Sequence, residues 1–204
     1  MKMESDSMER ERFERQLAFI LEADKEKNIL RQTHLSGHGR RENDAEHAWH
    51  MAMMIYLLKE YADEEFDLAK AMMMAIIHDI VEIDAGDTYA FDDDGLATQK
   101  EREKAAAERI YGMLPDDQRD ELKQLFDEFE SLSTPEARFV KVMDNIQPLL
   151  LNQSNGGEDW REHRVARSKV AARHRTTRLG SKAIADYAEE VIEENVRNGN
   201  ILDE

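Results

Sequence analysis

The stretch DEEFDLAKAMMMAIIHDIVEI, residues 63–83, leaves the fewest choices for how this chain can fold. It contains no Gly or Pro and is apolar around most of a helical circumference, the pattern of a central, buried helix. A helix of that kind needs other helices to cover it, and the rest of the sequence offers them. Strong helix formers dominate, with only 3 Pro and 9 Gly in 204 residues, so the expected fold class is all-α. One domain over 1–204 is expected, with its core at about 15–152 and C-terminal helices at 158–200 packed on it.

The spacing of apolar residues places the other helices. Phe13, Leu17, Ile20 and Leu21 recur at helical intervals within a first helix over about 9–30. RQTHLSGHGRREN then breaks the pattern and reads as a loop. A second helix starts near Asp44, taken as its N-cap, and runs to about residue 61. Its stripe is Ala48, Met51, Ala52, Ile55 and Leu58. After Ile83 a long polar loop, DAGDTYAFDDDGLATQ, leads to a helix over about 98–113. Pro115 opens the next helix, and Thr134–Pro135 the one after, in which Pro148 is expected to cause a kink. A single basic helix over 160–178 and an amphipathic one over 181–196 complete the chain.

Bulk charge excludes several functions. The formal net charge is −17, the wrong sign for binding a nucleic-acid polymer through its phosphates. A single nucleotide held by one local site is still allowed. There is no cysteine, which removes disulfides and thiolate metal sites, so any ion must be held by His, Asp or Glu. No apolar run is long enough to cross a membrane, and the acidic MKMESDSMERERFERQ matches neither a secretion signal nor a mitochondrial presequence. A cytoplasmic location is expected.

The chemistry concentrates in HDIVEIDAGD, residues 78–87. Side chains of adjacent residues on a regular helix diverge by about 100°, so His78 and Asp79 reach one point only near a helix end or a distortion. Imidazole and carboxylate together suit a hard or borderline divalent ion. Two further ligands are candidates. His47 lies early on the second helix. Asp144 sits among Val140, Met143, Ile146 and Leu149, where an unpartnered carboxylate would be costly to bury and a cation would offset that cost. Glu82, one turn after His78, is placed to orient or deprotonate water beside an ion. Asp87 follows Gly86, where it could fold back over the site or serve only as a turn residue. WREHRVARSKVAARHRTTR carries seven Arg or Lys against one Glu; a solvated helix face explains it, and a rim that attracts anions is the functional alternative.

In this order, EHAW with His47, HDIVEIDAGD, and FVKVMDN with Asp144 resemble the HD-domain metal-dependent phosphohydrolases, in the branch that contains the 5′-deoxynucleotidases. The resemblance implies an HD-domain helical bundle with one divalent ion (Mn, Co, Zn, Mg or Fe) held between central helices by His47, His78, Asp79 and Asp144. It implies that Glu82 is catalytic and that Asp87 lies near the sugar. It implies a small phosphorylated substrate such as a deoxyribonucleoside 5′-monophosphate, and a homodimer. In that branch an Arg–Trp pair upstream of the first His orients the phosphate. Here the Trp is missing and Arg31 is about one position out of register, with Arg41 also near; both are carried as substrate-binding residues. The alternative to a phosphomonoesterase is a nucleotide-binding or regulatory module with a metal site and little turnover.

Overall fold

The computed structural model describes the backbone of residues 2–204 and the side chains of residues 7–92 and 94–204. It is a mostly α-helical bundle with one small hairpin. The order is α1 (Lys2–Ala23), β1 (Leu30–His34), β2 (Arg41–Asn43), α2 (Asp44–Leu58), α3 (Leu68–Ile77), α4 (Glu82–Ala85), α5 (Asp93–Tyr111), α6 (Asp116–Ser131), α7 (Pro135–Ser154), α8 (Glu158–Glu162), α9 (Arg167–His174) and α10 (Lys182–Arg197).

Three central helices carry the site. Met51 and Ile55 of α2, Ala71 and Met74 of α3, and Phe139, Val140 and Met143 of α7 form one buried cluster. The C-terminal segment belongs to it through Trp160, Val170, Ile184, Ala188 and Ile201. A second cluster joins Ile77, Ile80 and Val81 to Ile110, Tyr111 and Phe126 of α5 and α6. Capping fixes where the central helices begin. The Asn43 side chain accepts from Glu46 N while the Glu46 side chain accepts from Asn43 N, a capping box, so the N-cap of α2 is Asn43 rather than Asp44. Asp67 and Thr134 cap α3 and α7 by a single side-chain bond each, accepting from Lys70 N and Ala137 N.

Several boundaries differ from the sequence-based expectations. The first helix stops at Ala23, gives one 3₁₀ turn, and then enters β1. The segment expected as a loop instead forms the antiparallel pair β1–β2, with Leu30 opposite Asn43 and His34 opposite Arg41. Phe13, Leu17, Ile20 and Leu21 do lie on helix α1, but all four are exposed. The helix after the polar loop that follows Ile83 starts at Asp93, earlier than the expected 98. The expected basic helix over 160–178 is two helices, α8 and α9. Between them Arg164 adopts φ 49°, and the backbone pairs with the C-terminus, Leu202 N donating to Val165 O at 3.0 Å and Arg167 N to Leu202 O at 2.8 Å. No described helix is long and apolar enough to cross a membrane.

Candidate metal centre and active site

Helix α3 ends at Ile77, directly before His78 and Asp79. The turn that follows bends the backbone enough for both side chains to face the same point. His78 Nδ1 pairs with Ala75 O at 2.9 Å, which leaves Nε2 aimed inward. Helix α2 delivers His47, fully buried, its Nδ1 2.9 Å from Gln147 Oε1. Gln147 Nε2 donates to Glu42 Oε1 at 2.6 Å and lies 3.1 Å from His50 Nδ1. Because the Gln147 amide nitrogen is committed to acceptors, its oxygen must face His47. His47 therefore carries its proton on Nδ1 and presents the Nε2 lone pair.

These two nitrogens converge with two carboxylates. His47 Nε2 is 3.4 Å from Asp144 Oδ1 and 4.0 Å from Asp79 Oδ2, and His78 Nε2 is 3.1 Å from Asp79 Oδ2. Ligands about 2.1 Å from a common ion lie about 3–3.5 Å from one another. Both Nε2 atoms are buried and neither has a hydrogen-bond partner of good geometry, a costly arrangement unless a cation completes it. His47, His78 and Asp144 can each place a ligand atom within 4.8 Å of the others. The donor set is two imidazoles and two carboxylates without sulfur, which suits a borderline or hard divalent ion.

The titration of the same groups fits that description. Burial drives His47 down to about 4, with the Arg31 charge adding to the effect, so it is neutral and ready to ligate. Burial also disfavours a charged His78, but the Asp79 carboxylate outweighs it and holds the imidazole up at about 9. Asp144, though fully desolvated, is kept well below the usual carboxylate range by Lys141 and Arg173. A proton on His78 thus stands in for part of the charge that an ion would supply.

A second group of acids adjoins the first. Glu82, on α4, comes within 4.8 Å of Asp44 and Asp87. Burial, then the charges of Asp79, Asp44 and Asp87, push Glu82 up to about 12. Burial and Asp79 push Asp44 up to about 8. Arg31 threads between the two groups from β1, with Nη1 at 2.9 Å from Asp79 Oδ2 and 3.4 Å from Asp44 Oδ1, and Nε 3.7 Å from Glu42 Oε2.

Six of the eight residues singled out from the sequence line one pocket, His78, Asp79, Asp144, Glu82, Asp87 and Arg31, and a seventh, His47, lies buried behind it with Nε2 3.4 Å from Asp144 Oδ1. Arg41 is half-buried on β2 and is absent from the walls of that pocket. Sequence reasoning missed Glu42, Gln147, Lys141 and Arg173, and it gave Asp44 only a capping role. Lys141 and Gln147 had a signal, since each lies three residues from Asp144 on one helix. Arg173 had only the basic run around it.

The pocket also borders a second cavity, and the two share Arg31, Asp87, Thr88 and Arg173 in their walls. The neighbouring cavity presents the aromatic side chains Tyr89, Phe91 and Trp160, with Asn152 and Asp159 as polar groups.

A profile of the HD domain matches residues 23–185. The chain belongs to the HD-domain family. Family membership implies a bound divalent metal, and the donor set above fits one. Among relatives, 5′-deoxynucleotidase HDDC2 of Homo sapiens is 33% identical over 128 residues, 63% of this chain and 60% of that protein. The Danio rerio protein of the same name is 33% identical over 109 residues, 53% of each chain. This HD-domain chain thus spans somewhat more than half the length of those two relatives. A crystal structure of a predicted metal-dependent phosphohydrolase from Magnetospirillum magnetotacticum MS-1 superposes with a TM-score of 0.88 at 46% identity, covering 93% of this chain and 95% of that one.

Proposed function

We propose that this protein is a metal-dependent phosphomonoesterase acting on a nucleotide, with deoxyribonucleoside 5′-monophosphates as the leading substrate class. The observation that carries the reading is the convergence of His47, His78, Asp79 and Asp144 around two unpartnered ring nitrogens, one turn from a buried Glu82. A divalent ion held there would polarise the phosphoryl group and acidify the attacking water. Glu82, one turn from the ligands, would orient that water and take its proton; a cation beside it would offset the burial and the neighbouring acids that raise its proton affinity in the metal-free pocket. Asp87 faces the leaving group from the wall between the two cavities. Arg31 offsets the crowded carboxylates of Asp79 and Asp44. The aromatic walls of the second cavity offer stacking faces to a base, and the names of the two deoxynucleotidase relatives point the same way.

The test is a screen of nucleoside monophosphates and simple phosphomonoesters with Mn, Co, Zn, Mg or Fe added. Wild type should release phosphate and Glu82→Gln should keep the metal yet lose turnover. Full activity in Glu82→Gln would remove the role given to that residue. Stoichiometric metal with no hydrolysis of any substrate would favour the binding-module reading, which the engagement of Arg31 by carboxylates keeps open.

We also propose that the protein is a cytoplasmic homodimer. Helix α2 leaves Trp49, Met53, Tyr56 and Leu57 exposed on one face, and the adjoining α3 leaves Met73 and Ile76. Phe13, Leu17, Ile20 and Leu21 do the same on α1. Faces this apolar are uncommon on a lone protein, and a second copy is the occupant proposed for them.

A further inference from the structure

We infer that Arg173, in the C-terminal region, is a substrate-binding cation that grips the phosphoryl group where the metal pocket meets the second cavity. This rests on the phosphomonoesterase reading above. A phosphate dianion entering a pocket lined by Asp79, Glu82, Asp87 and Asp144 needs positive charge beyond the metal. Three basic side chains line that pocket: Arg31, Lys141 and Arg173. Arg31 is already surrounded by the carboxylates of Asp79, Asp44 and Glu42. Lys141 Nζ is held at 2.6 Å from Asp144 Oδ2 and faces the metal pocket alone.

Arg173 differs in three ways. It lines both cavities, so it stands where an ester oxygen joins a phosphoryl group on one side to a leaving group on the other. Among the described residues only its Nη2 makes hydrogen bonds, at 3.3 Å from Asp144 O and 3.4 Å from Asp144 Oδ1, and these long bonds leave the other N–H groups of its fork for a ligand. Among the described residues its one acidic partner within 4 Å is Asp144, a metal-ligand candidate. An ion on Asp144 would draw that carboxylate's charge to itself and leave the guanidinium in need of another anion.

The placement is rigid. Asn145 Nδ2, next to Asp144 on α7, donates to Thr176 Oγ1 at 2.9 Å and Thr177 Oγ1 at 3.1 Å. Thr176 Oγ1 donates to Arg173 O at 3.2 Å. The end of α9 is thus tied to the helix that bears Asp144.

The experiment compares wild type, Arg173→Ala, Arg173→Lys and Arg175→Ala, all loaded with the same metal. Arg175 is exposed on the same segment, so its removal controls for net charge. Calorimetry measures inorganic phosphate affinity, elemental analysis measures bound metal, and kinetics measure kcat/KM for the best monophosphate. Arg173→Ala should retain metal and lose about 10- to 100-fold in phosphate affinity, the range for one charged hydrogen-bonding group. Arg173→Lys should recover part of the loss, and Arg175→Ala should behave as wild type. Wild-type phosphate affinity in metal-loaded Arg173→Ala, or an equal loss in Arg175→Ala, overturns the assignment. A wild type that binds phosphate through Arg173 but hydrolyses nothing would instead overturn the phosphomonoesterase reading alone.

Discussion

Replacing Gln147 with Leu should weaken metal binding without touching a ligand. Gln147 is fully buried and joins three groups: His47 Nδ1, Glu42 Oε1 and His50 Nδ1. Leu fills a similar volume but offers no polar atom. It leaves the His47 N–H and the Glu42 carboxyl without their partner, and each such loss costs about 1–2 kcal/mol in a buried setting. The sum, about 2–4 kcal/mol, corresponds to roughly 4–16 °C in Tm for a chain of this size. The metal effect is separate. Once the bond that fixes its tautomer is gone, His47 can turn or place its proton on Nε2. Outer-shell losses of this kind weaken metal affinity by about 10- to 100-fold.

Gln147→Glu distinguishes these effects. It keeps an acceptor for His47 while setting two carboxyls side by side, and one of them takes up a proton and donates to the other. Metal affinity should stay near wild type in the Glu variant and fall in the Leu variant. Calorimetric titration with Mn, Co and Zn reads affinity, and thermal melts of the metal-free proteins read stability. A Leu variant that binds metal as tightly as wild type would refute the claim that Gln147 orients the ligand.

Asp79→Asn should abolish stoichiometric metal, because it removes the carboxylate closest to His78 Nε2; elemental analysis showing one ion per chain would contradict this. Leu57→Glu or Tyr56→Glu should turn a dimer into a monomer in light scattering, with the metal content unchanged, and a dimer that survives both places the interface elsewhere. In the metal-free protein Asp44 is buried and pushed up to about 8, so the folded state keeps a proton that the unfolded chain gives up near pH 4. Its contribution to stability is present in acid and is lost as pH rises through about 8. The Tm difference between Asp44→Asn and wild type should therefore move in favour of the variant from pH 5 to pH 8, and a difference that moves the other way would contradict the assignment.

Much of the site was legible in the sequence because ligand chemistry restricts residue types and burial restricts their neighbours. Asp144 stood out as an acid among Val140, Met143 and Ile146, and the structure buries all four. The need for a helix end or a distortion near His78 and Asp79 was legible, but the helix was read as running over 63–83, whereas α3 spans Leu68–Ile77 and α4 starts at Glu82. The hairpin was not legible, because its pairing joins residues on either side of a turn with two glycines and no clear alternation. Nor was the break between α8 and α9, since the strand-like contact that stops the helix comes from Leu202, far along the chain. Exposure of the α1 stripe was hidden for a related reason. Helical spacing shows that Phe13, Leu17, Ile20 and Leu21 share a face, but not what covers that face.

Pro148 connects the legible part of the site to the hidden part. As an internal proline it was expected to kink α7; the helix runs through it to Ser154. Its chemical consequence lies one turn back. A proline has no N–H, so the carbonyl four residues earlier, that of Asp144, loses its helical donor. Arg173 Nη2 lies 3.3 Å from that oxygen and supplies a replacement. An alanine at 148 would restore the helical bond and make the guanidinium share that oxygen with a backbone N–H. The proline thus holds open, on the backbone of a metal-ligand candidate, the place where the C-terminal region brings a cation to the pocket. A feature that reads as a defect in the helix sequence becomes, once α9 is folded onto α7, the joint through which a distant basic segment reaches the candidate metal pocket.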